Sequence, residues 1–442
     1  MSKLRFPHPM VLLLACVFVA AALTHVLPAG SYDRHEDAAT GRTVAVAGTY
    51  HRVDARPVGA FGAFVAVPRG LVAAAEVIAL VLLVGGAWTV VDQAGTLRAI
   101  VGWLVGRFGQ RRHVIVVVLS LAFAAAGAME NMQEEIIPLA PVLLLVATGL
   151  GYDGVTVAAM SIGAAMVGSA FSPINPFQAG IALKLAQLPL LSAGALRIGM
   201  LAVAISLWIW WTLRHAERTR VPPAVAALPE HVTFDMRQRI ILALVAAPFV
   251  AYVIGVLNYE WGFNELSAAF FIAGLAIGLV GRLGVQGTVE AYVEGMRSVV
   301  SAAVLIGVAR SISLVLEDGR VIDTILQGLA SPLAGAPRAL GALLMVPVHA
   351  LLHVPVSSVS GQAVLTMPVL IPLSDLTGIS RQATVLAYQT GAGLTEFWTP
   401  TNGALMAILL SLKCPFDRWL RFALPAVLVL TLVGILGMMI VL

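Results

Sequence analysis

Charge is scarce in this chain: Asp, Glu, Lys and Arg make up 11% of its 442 residues, whereas hydrophobic residues make up 59%. The mean hydropathy is +0.93, and near-chargeless runs of membrane-spanning length recur along the whole sequence. This scarcity of charge excludes an ordinary soluble domain. Because the runs are continuously apolar and do not alternate, they favour helices over a β-barrel. The composition therefore predicts an all-α polytopic membrane protein.

Cysteine is rarer still, with two residues in the chain, and several motifs are missing. Cys16 and Cys414 lie in or beside apolar runs and provide neither a disulfide framework nor a thiolate metal cluster. No G-x-x-x-x-G-K-S/T is present, so ATP-driven pumping has no support. His349 and His353 of HALLH have metal-ligand spacing but lack the glutamate of H-E-x-x-H. We therefore predict no metal site, no enzymatic activity and no cofactor other than a coupling ion. The net charge of +4 is attributed to membrane topology and not to nucleic-acid binding.

The apolar runs fall into two similar halves. DQAGTLRAIVGWL resembles LEDGRVIDTILQGL, and SPIN resembles TPTN. Matching positions are separated by 224 residues at Gly95 and Gly319 and by 230 residues at Pro138 and Pro368. One additional span between the halves would insert the second copy upside down, and inverted-topology repeats are typical of secondary transporters. The predicted units are a first repeat at 1–213, a cytoplasmic linker at 214–237, a connecting span at 238–257 and a second repeat at 258–442.

Each predicted repeat contains a re-entrant hairpin and a broken helix. The hairpins are placed at about 113–149 and 339–376, and the broken helices at 154–187 and 380–413. The arms of the first hairpin are about 22–24 Å long, shorter than a bilayer core of about 30 Å. Prolines in SPINP and PTNG free backbone groups that a substrate or cation can satisfy. The alternative is a pair of proline kinks satisfied by neighbouring helices.

The stretch GAMENMQEEIIPLAP at 127–141 concentrates three glutamates between apolar runs. One interpretation is a solvated loop between two ordinary spans. The other is a hairpin tip in which Glu130 and Glu134 lie near a cavity, while Glu135 faces solvent or a helix N-terminus. An acid within the membrane is costly unless a cation or a proton neutralises it. The hairpin interpretation therefore predicts a substrate amine, a coupling proton or sodium.

These considerations define a predicted site. Its substrate-binding residues are Glu130, Asn131, Gln133, Glu134, Ser172, Asn175, Ser360, Gly361, Gln362, Glu396, Thr399 and Asn402. Glu130, Glu134, Asn175 and Asn402 are also predicted to hold the coupling ion, Na⁺ or H⁺. Arg310 lies in an apolar run and is predicted to pair with an acid such as Glu396; binding a substrate carboxylate and snorkelling to the interface are the alternatives.

The charge distribution also predicts the orientation. Lys3 and Arg5 precede a first span at 9–29, which places the N-terminus in the cytoplasm. Residues 30–66 then form an external loop, and 96–108 an interfacial helix. We expect an integral protein of the bacterial inner membrane, with the lipid bilayer and a small-molecule substrate as its partners.

Several motifs resemble those of a known family: FPHPMVLLLACVFVAAALTHVLPAGSYDR, VPRGL, GVARSISLVLEDG, SGQAVLTMPVLIPLSDLTGISRQATVLAYQ and PTNGALMA. Together they resemble the YfcC-like branch of the anaerobic C4-dicarboxylate carrier (DcuC-like) family, over nearly the whole chain. The resemblance implies the ion-transporter superfamily, with a scaffold domain, a moving transport domain, an elevator-type mechanism and a homodimer. Sodium-coupled dicarboxylate relatives carry Ser-Asn-Thr at each hairpin tip, where this chain has Glu130-Asn131-Met132 and Ser360-Gly361-Gln362.

A glutamate at the first tip would repel a dicarboxylate, and the branch is associated with basic amino acids and antiport. The expected function is therefore secondary active transport of a basic or zwitterionic amino acid of the arginine/ornithine type, by antiport or ion coupling. The alternative is a proton- or sodium-coupled carrier of carboxylates such as C4-dicarboxylates. A passive channel is disfavoured because it has no need of two paired broken helices.

Overall fold

The computed structural model describes residues 7–38, 40–96, 99, 111–220, 235–259 and 261–442. Most of these residues are helical. Most of the predicted interfacial helix at 96–108 and most of the predicted linker at 214–237 lie outside the described residues.

In the first half of the chain, the helices follow the apolar runs. Their bounds are α1 Pro9–Val26, α2 Ala60–Ala73, α3 Ala75–Gln93, α4 His113–Glu130, α5 Ala140–Gly149, α6 Gly154–Ala158, α7 Ala164–Ala170, α8 Ile181–Leu185 and α9 Gly194–Arg218. A 3₁₀ turn at Glu134–Leu139 precedes α5, and π-helical turns at Ala159–Gly163 and Pro176–Gly180 precede α7 and α8.

The second half begins with three long helices. The helices of this half are α10 Met236–Tyr259, α11 Phe263–Val280, α12 Gly284–Asp318, α13 Ile322–Ala330, α14 Arg338–His353, α15 Val359–Thr377, α16 Arg381–Thr395, α17 Gly403–Ser411 and α18 Phe416–Ile440. Among the described residues, eight helices are long and apolar enough to cross a membrane, namely α1, α3, α4, α9, α11, α12, α15 and α18. The prediction of a mostly helical polytopic membrane protein is confirmed.

The polar loop after α1 is not purely irregular. It contains the strand pairs β1 Gly30–Ser31 with β4 His51–Arg52, and β2 Arg34–Asp37 with β3 Arg42–Ala45, both antiparallel. Gly41 supplies the positive φ, 62°, that the turn between β2 and β3 requires. The all-α prediction is therefore wrong for this loop, and the loop ends where α2 begins, before the predicted limit at residue 66.

Two helix–turn–helix segments occupy the positions predicted for the hairpins and are called the first and the second hairpin. The first hairpin consists of α4, a tip at 131–133, the 3₁₀ turn and α5, and the second consists of α14, a tip at 354–358 and α15. Helix α4 has 18 residues and α15 has 19, so both are longer than the short arms that the sequence suggested. By length each could cross a membrane, and a re-entrant path for the hairpins stays a prediction.

Two helix breaks lie beside the hairpins, and an asparagine caps the helical segment after each. Asn175 Oδ1 accepts hydrogen bonds from the backbone N–H groups of Phe177 and Gln178, each at 2.9 Å. Asn402 Oδ1 accepts from the N–H of Leu405 at 3.0 Å. The first N–H groups of a helix have no partner within the helix, so these side chains stabilise the restart. In the first break Pro176 occupies the first position of the new segment, where its missing N–H costs nothing.

Glycines let the first hairpin pack closely against the broken helix behind it. A Cβ on Gly127 of α4 would lie 2.0 Å from the carbonyl oxygen of Ala165, and one on Gly168 of α7 would lie 2.0 Å from that of Ala124. Only residues without a side chain permit this separation, as is common at helix interfaces in membranes. This contact fixes the position of the hairpin tip relative to the first break.

Candidate functional site

A cavity of about 1360 Å³ lies between the two hairpin tips, the second helix break and the loop that carries the strands. Acidic side chains line its inner wall. They are Glu130, Glu134, Glu135 and Glu396. Side chains of both charge signs lie near the strands, where the lining includes Arg34, Arg42, His51, Arg320 and Asp323. The cavity is large enough for a metabolite of amino-acid size.

The tip of the first hairpin is a sharp turn that presents the glutamates. Helix α4 ends at Glu130, and Asn131 follows in the left-handed conformation with φ 57°, which asparagine tolerates better than most residues. Asn131 Oδ1 accepts a hydrogen bond from Ser169 Oγ, which ties the tip to α7. The Glu135 carboxylate accepts a hydrogen bond from the N–H of Gln133 at 3.1 Å. Glu135 lies in the first turn of the 3₁₀ segment and also lines the cavity.

None of the glutamates at this tip forms an ion pair with a basic side chain of the described residues. Each is only partly exposed. Three carboxyl groups within six positions repel one another electrostatically when ionised. The negative charge of the tip is therefore not neutralised by the described side chains, and a bound cation or protons can neutralise it.

The second hairpin contributes hydroxyl groups and a helix N-terminus. Ser358 Oγ accepts from the N–H of Gly361 at 3.2 Å and caps α15. Ser360 and Gly361 are half-buried and line the cavity. Gln362 is fully buried and does not line it, since its amide faces His349 and His353 of α14.

The second break contacts both hairpins, the second through Glu396 and the first through Asn402. Glu396 Oε1 lies 2.6 Å from His353 Nε2, and Glu396 Oε2 accepts from Asn402 Nδ2 at 2.6 Å. Asn402 Nδ2 also lies 3.2 Å from Gln133 Oε1 of the first tip. Arg310 pairs with an acid as predicted, but the acid is Glu317 and not Glu396. Arg310 Nη2 lies 3.8 Å from Glu317 Oε1 on the same helix, and its side chain lines the cavity.

Four predicted substrate contacts lie behind the cavity wall: Ser172, Asn175, Gln362 and Thr399 are buried and do not line it. Ser172 Oγ donates to the carbonyl of Ala128 at 2.6 Å, and Asn175 Nδ2 donates to that of Gly127 at 2.8 Å. These side chains fasten the first break to the first hairpin. Proline and asparagine mark the break in the sequence, but the sequence does not show which way their side chains point.

Sequence reasoning also missed some residues of this region. The sequence pattern around His353 indicates only a possible metal ligand, whereas its partners in the structure are Glu396 and Gln362. Thr401 donates to the carbonyl of Val354 at 2.7 Å and lines the cavity. Nothing in the sequence distinguishes it from other threonines. Within the described part of the chain, no group of three His, Cys, Asp or Glu residues is placed to hold a metal ion.

The family model described as DcuC, C4-dicarboxylate anaerobic carrier, matches residues 6–442. This chain belongs to the DcuC family. It is 32% identical over 390 residues to an Escherichia coli (strain K12) protein named "Putative basic amino acid antiporter YfcC", covering 83% of this chain and 76% of that protein. It is also 27% identical over 490 residues to an uncharacterized protein of Haemophilus influenzae, covering 97% of this chain and 96% of that protein. Membership of the DcuC family makes the chain an integral membrane carrier and not an enzyme.

Solved transporter structures give a weaker likeness. The YdaH transporter of Alcanivorax borkumensis matches with a TM-score of 0.44 and 19% identity, covering 98% of both chains. MtrF of Neisseria gonorrhoeae matches with a TM-score of 0.41 and 17% identity, covering 98% of this chain and 95% of that one. TM-scores of this size mark a likeness too distant to carry an argument about mechanism.

Proposed function

We propose that this DcuC-family carrier transports a basic or zwitterionic amino acid of the arginine/ornithine type by alternating access. The observation that carries the proposal is the cluster of Glu130, Glu134 and Glu135 at the cavity wall, without an ion pair to a basic side chain of the described residues. A substrate with a cationic side chain supplies the missing positive charge. The name of the YfcC relative supports the same substrate class.

Other groups in the cavity lining suit the carboxylate of such a substrate. The N-termini of α15 and α17 reach it through Ser360, Gly361 and Gly403, and helix N-termini favour negative charge. Arg310 lines the same cavity and its contact with Glu317 is long, 3.8 Å. An α-amino acid would thus place its cationic end at the first hairpin tip and its carboxylate near α15, α17 or Arg310.

A carboxylate carrier is the second candidate. The family description names C4-dicarboxylates, and the two helix N-termini and Arg310 would suit an anion. In that case protons or sodium ions would neutralise the glutamates. A two-repeat inverted architecture, an elevator-type movement, a homodimer and a bacterial inner-membrane location with a cytoplasmic N-terminus complete the proposal. The order of the two breaks supports the inverted architecture, the charge distribution supports the orientation, and the family resemblance supports the elevator-type movement and the homodimer.

Transport by purified protein in liposomes tests the two candidates. Labelled arginine, ornithine and succinate are offered to the wild type and to Glu130→Gln, with sodium and pH gradients imposed separately. Loss of one charge-assisted contact of about 1.5–3 kcal/mol should weaken arginine binding about tenfold to hundredfold in Glu130→Gln. The control, Glu290→Gln, removes an exposed carboxylate of α12 that bonds Gln286 and does not line the cavity.

The proposal expects arginine or ornithine flux that falls in Glu130→Gln and persists in Glu290→Gln. Succinate flux driven by a cation gradient, without arginine or ornithine flux, contradicts it and favours the carboxylate carrier.

A further inference from the structure

Gln362 determines where one proton of the buried His353 ring lies. Gln362 Nε2 lies 2.8 Å from the backbone carbonyl oxygen of His349, which can only accept a hydrogen bond. The amide nitrogen therefore points to that carbonyl, and Gln362 Oε1 points to His353 Nδ1 at 2.7 Å. Because Oε1 is also only an acceptor, His353 Nδ1 must carry a hydrogen.

The other ring nitrogen then requires a second proton. His353 Nε2 and Glu396 Oε1 are 2.6 Å apart. With Nδ1 protonated, the Nε2 atom of a neutral ring has a lone pair, and an ionised carboxylate has only lone pairs. Two acceptors at this distance repel, so a proton lies between them, as imidazolium with carboxylate or as imidazole with carboxylic acid. Both forms contain the same number of protons and have no net charge.

We propose that the His353–Glu396 pair binds and releases the coupling proton of this carrier. The inference rests on the proposed carrier function and specifies its coupling ion. The His353 side chain is fully buried, whereas that of Glu396 is 8% exposed and lines the cavity. The proton therefore exchanges with cavity water through Glu396. Release transfers H⁺ to a water molecule and leaves a neutral imidazole facing an ionised carboxylate.

Release of the proton weakens a link between two elements of the site. His353 ends α14 of the second hairpin, and Glu396 follows α16 at the start of the second break. Without the proton, two lone pairs face each other and an uncompensated negative charge is buried, which is unfavourable. Occupancy by the proton thus controls how tightly the second hairpin is held against the break. The glutamates of the first tip stay available for the substrate cation.

Other titratable groups face the pair from the surrounding elements. His349 of α14 interacts electrostatically with His353, and Tyr388 of α16 and Glu134 of the first tip interact with Glu396. Arg310 of α12 lines the same cavity. Helix α15 contributes the neutral Gln362. Tyr388 donates to the carbonyl of Val359 at 2.6 Å and has no hydrogen bond to the pair, so Glu134 is the main competing proton site.

Glu396→Gln removes the exchangeable proton but keeps a hydrogen bond between positions 353 and 396. The glutamine amide can donate to His353 Nε2 and accept from Asn402, which reproduces the protonated acid but cannot titrate. In proteoliposomes loaded with a pH-sensitive dye, arginine should move protons through the wild type. In the variant, the number of protons moved per arginine transported should fall to zero. Proton movement that persists in Glu396→Gln overturns the proposal.

A second measurement needs no substrate. The thermal stability of the wild type in detergent should be lower at alkaline pH, because loss of the proton leaves two acceptor atoms of His353 and Glu396 facing each other. Glu396→Gln should lose this fall, and Glu134→Gln should retain it. Parallel profiles for the wild type and Glu396→Gln, or a fall that Glu134→Gln abolishes, overturn the proposal. Absence of arginine flux in the wild type contradicts the proposed function alone, and the stability profiles then decide the proton site.

Discussion

Substitution of Gly127 by alanine should force the first hairpin away from the broken helix behind it. The new Cβ would lie 2.0 Å from the carbonyl oxygen of Ala165, whereas ordinary contacts begin at 3.4 Å. The helices α4 and α7 must therefore separate by about 1.4 Å, the difference between these two distances. Overpacking of this kind destabilises by about 1–3 kcal/mol. The carbonyl of Gly127 also accepts from Asn175 Nδ2, so the shift disturbs the first break.

Gly199→Ala provides the matched control, because Gly199 is an exposed residue of α9 whose added Cβ would meet nothing within 4 Å. Alanine there should be neutral or stabilise the helix by up to about 1 kcal/mol. Thermal unfolding of both variants in the same detergent measures the difference, and arginine flux reports the effect on the tip. Equal stability of the two variants would refute the close packing of α4 against α7.

Two further predictions concern residues outside the candidate membrane spans. Burial alone would raise the pKa of Asp153, but hydrogen bonds from His215 and Thr156 hold that pKa below its ordinary value. The stability that Asp153 contributes is present above its unfolded pKa and is lost as pH falls through the lowered folded pKa, so Asp153→Asn should flatten the acid side of the stability profile; an unchanged acid side contradicts this. Asp323 accepts from Arg34 Nη2 at 2.8 Å and from the N–H of Tyr32 at 2.9 Å. Asp323→Asn should weaken this attachment by about 1.5–3 kcal/mol and make the loop at 30–53 more sensitive to protease, whereas an unchanged cleavage rate would show that the loop is held elsewhere.

The helices and their interruptions are the part of the fold that local chemistry specifies best. Continuous apolar runs can only be helical in a membrane, and proline with asparagine ends and restarts a helix within a few residues. The structure accordingly ends α7 at Ala170 and restarts at Pro176, and it ends α16 at Thr395 and restarts at Gly403. The short strands after α1 escaped prediction because pairs of two to four residues carry little periodicity.

The contacts of the site depend on tertiary packing and were harder to predict. In the sequence, both Arg310 and His353 are possible partners of Glu396. Only the fold shows that His353 lies beside Glu396 and that Arg310 does not. Asn175 and Asn402 have similar sequence contexts, SPIN and TPTN, yet Asn402 lines the cavity whereas Asn175 is fully buried and does not. The number of residues between two positions in the sequence does not show whether their side chains are in contact.

Binding of labelled arginine and labelled succinate to the purified protein tests the central claim most directly. The measurement compares the wild type, Glu130→Gln and Glu290→Gln in detergent at constant pH and salt. The account predicts saturable arginine binding that unlabelled ornithine displaces, and about tenfold to hundredfold weaker binding in Glu130→Gln alone. Saturable succinate binding with no arginine binding would contradict it.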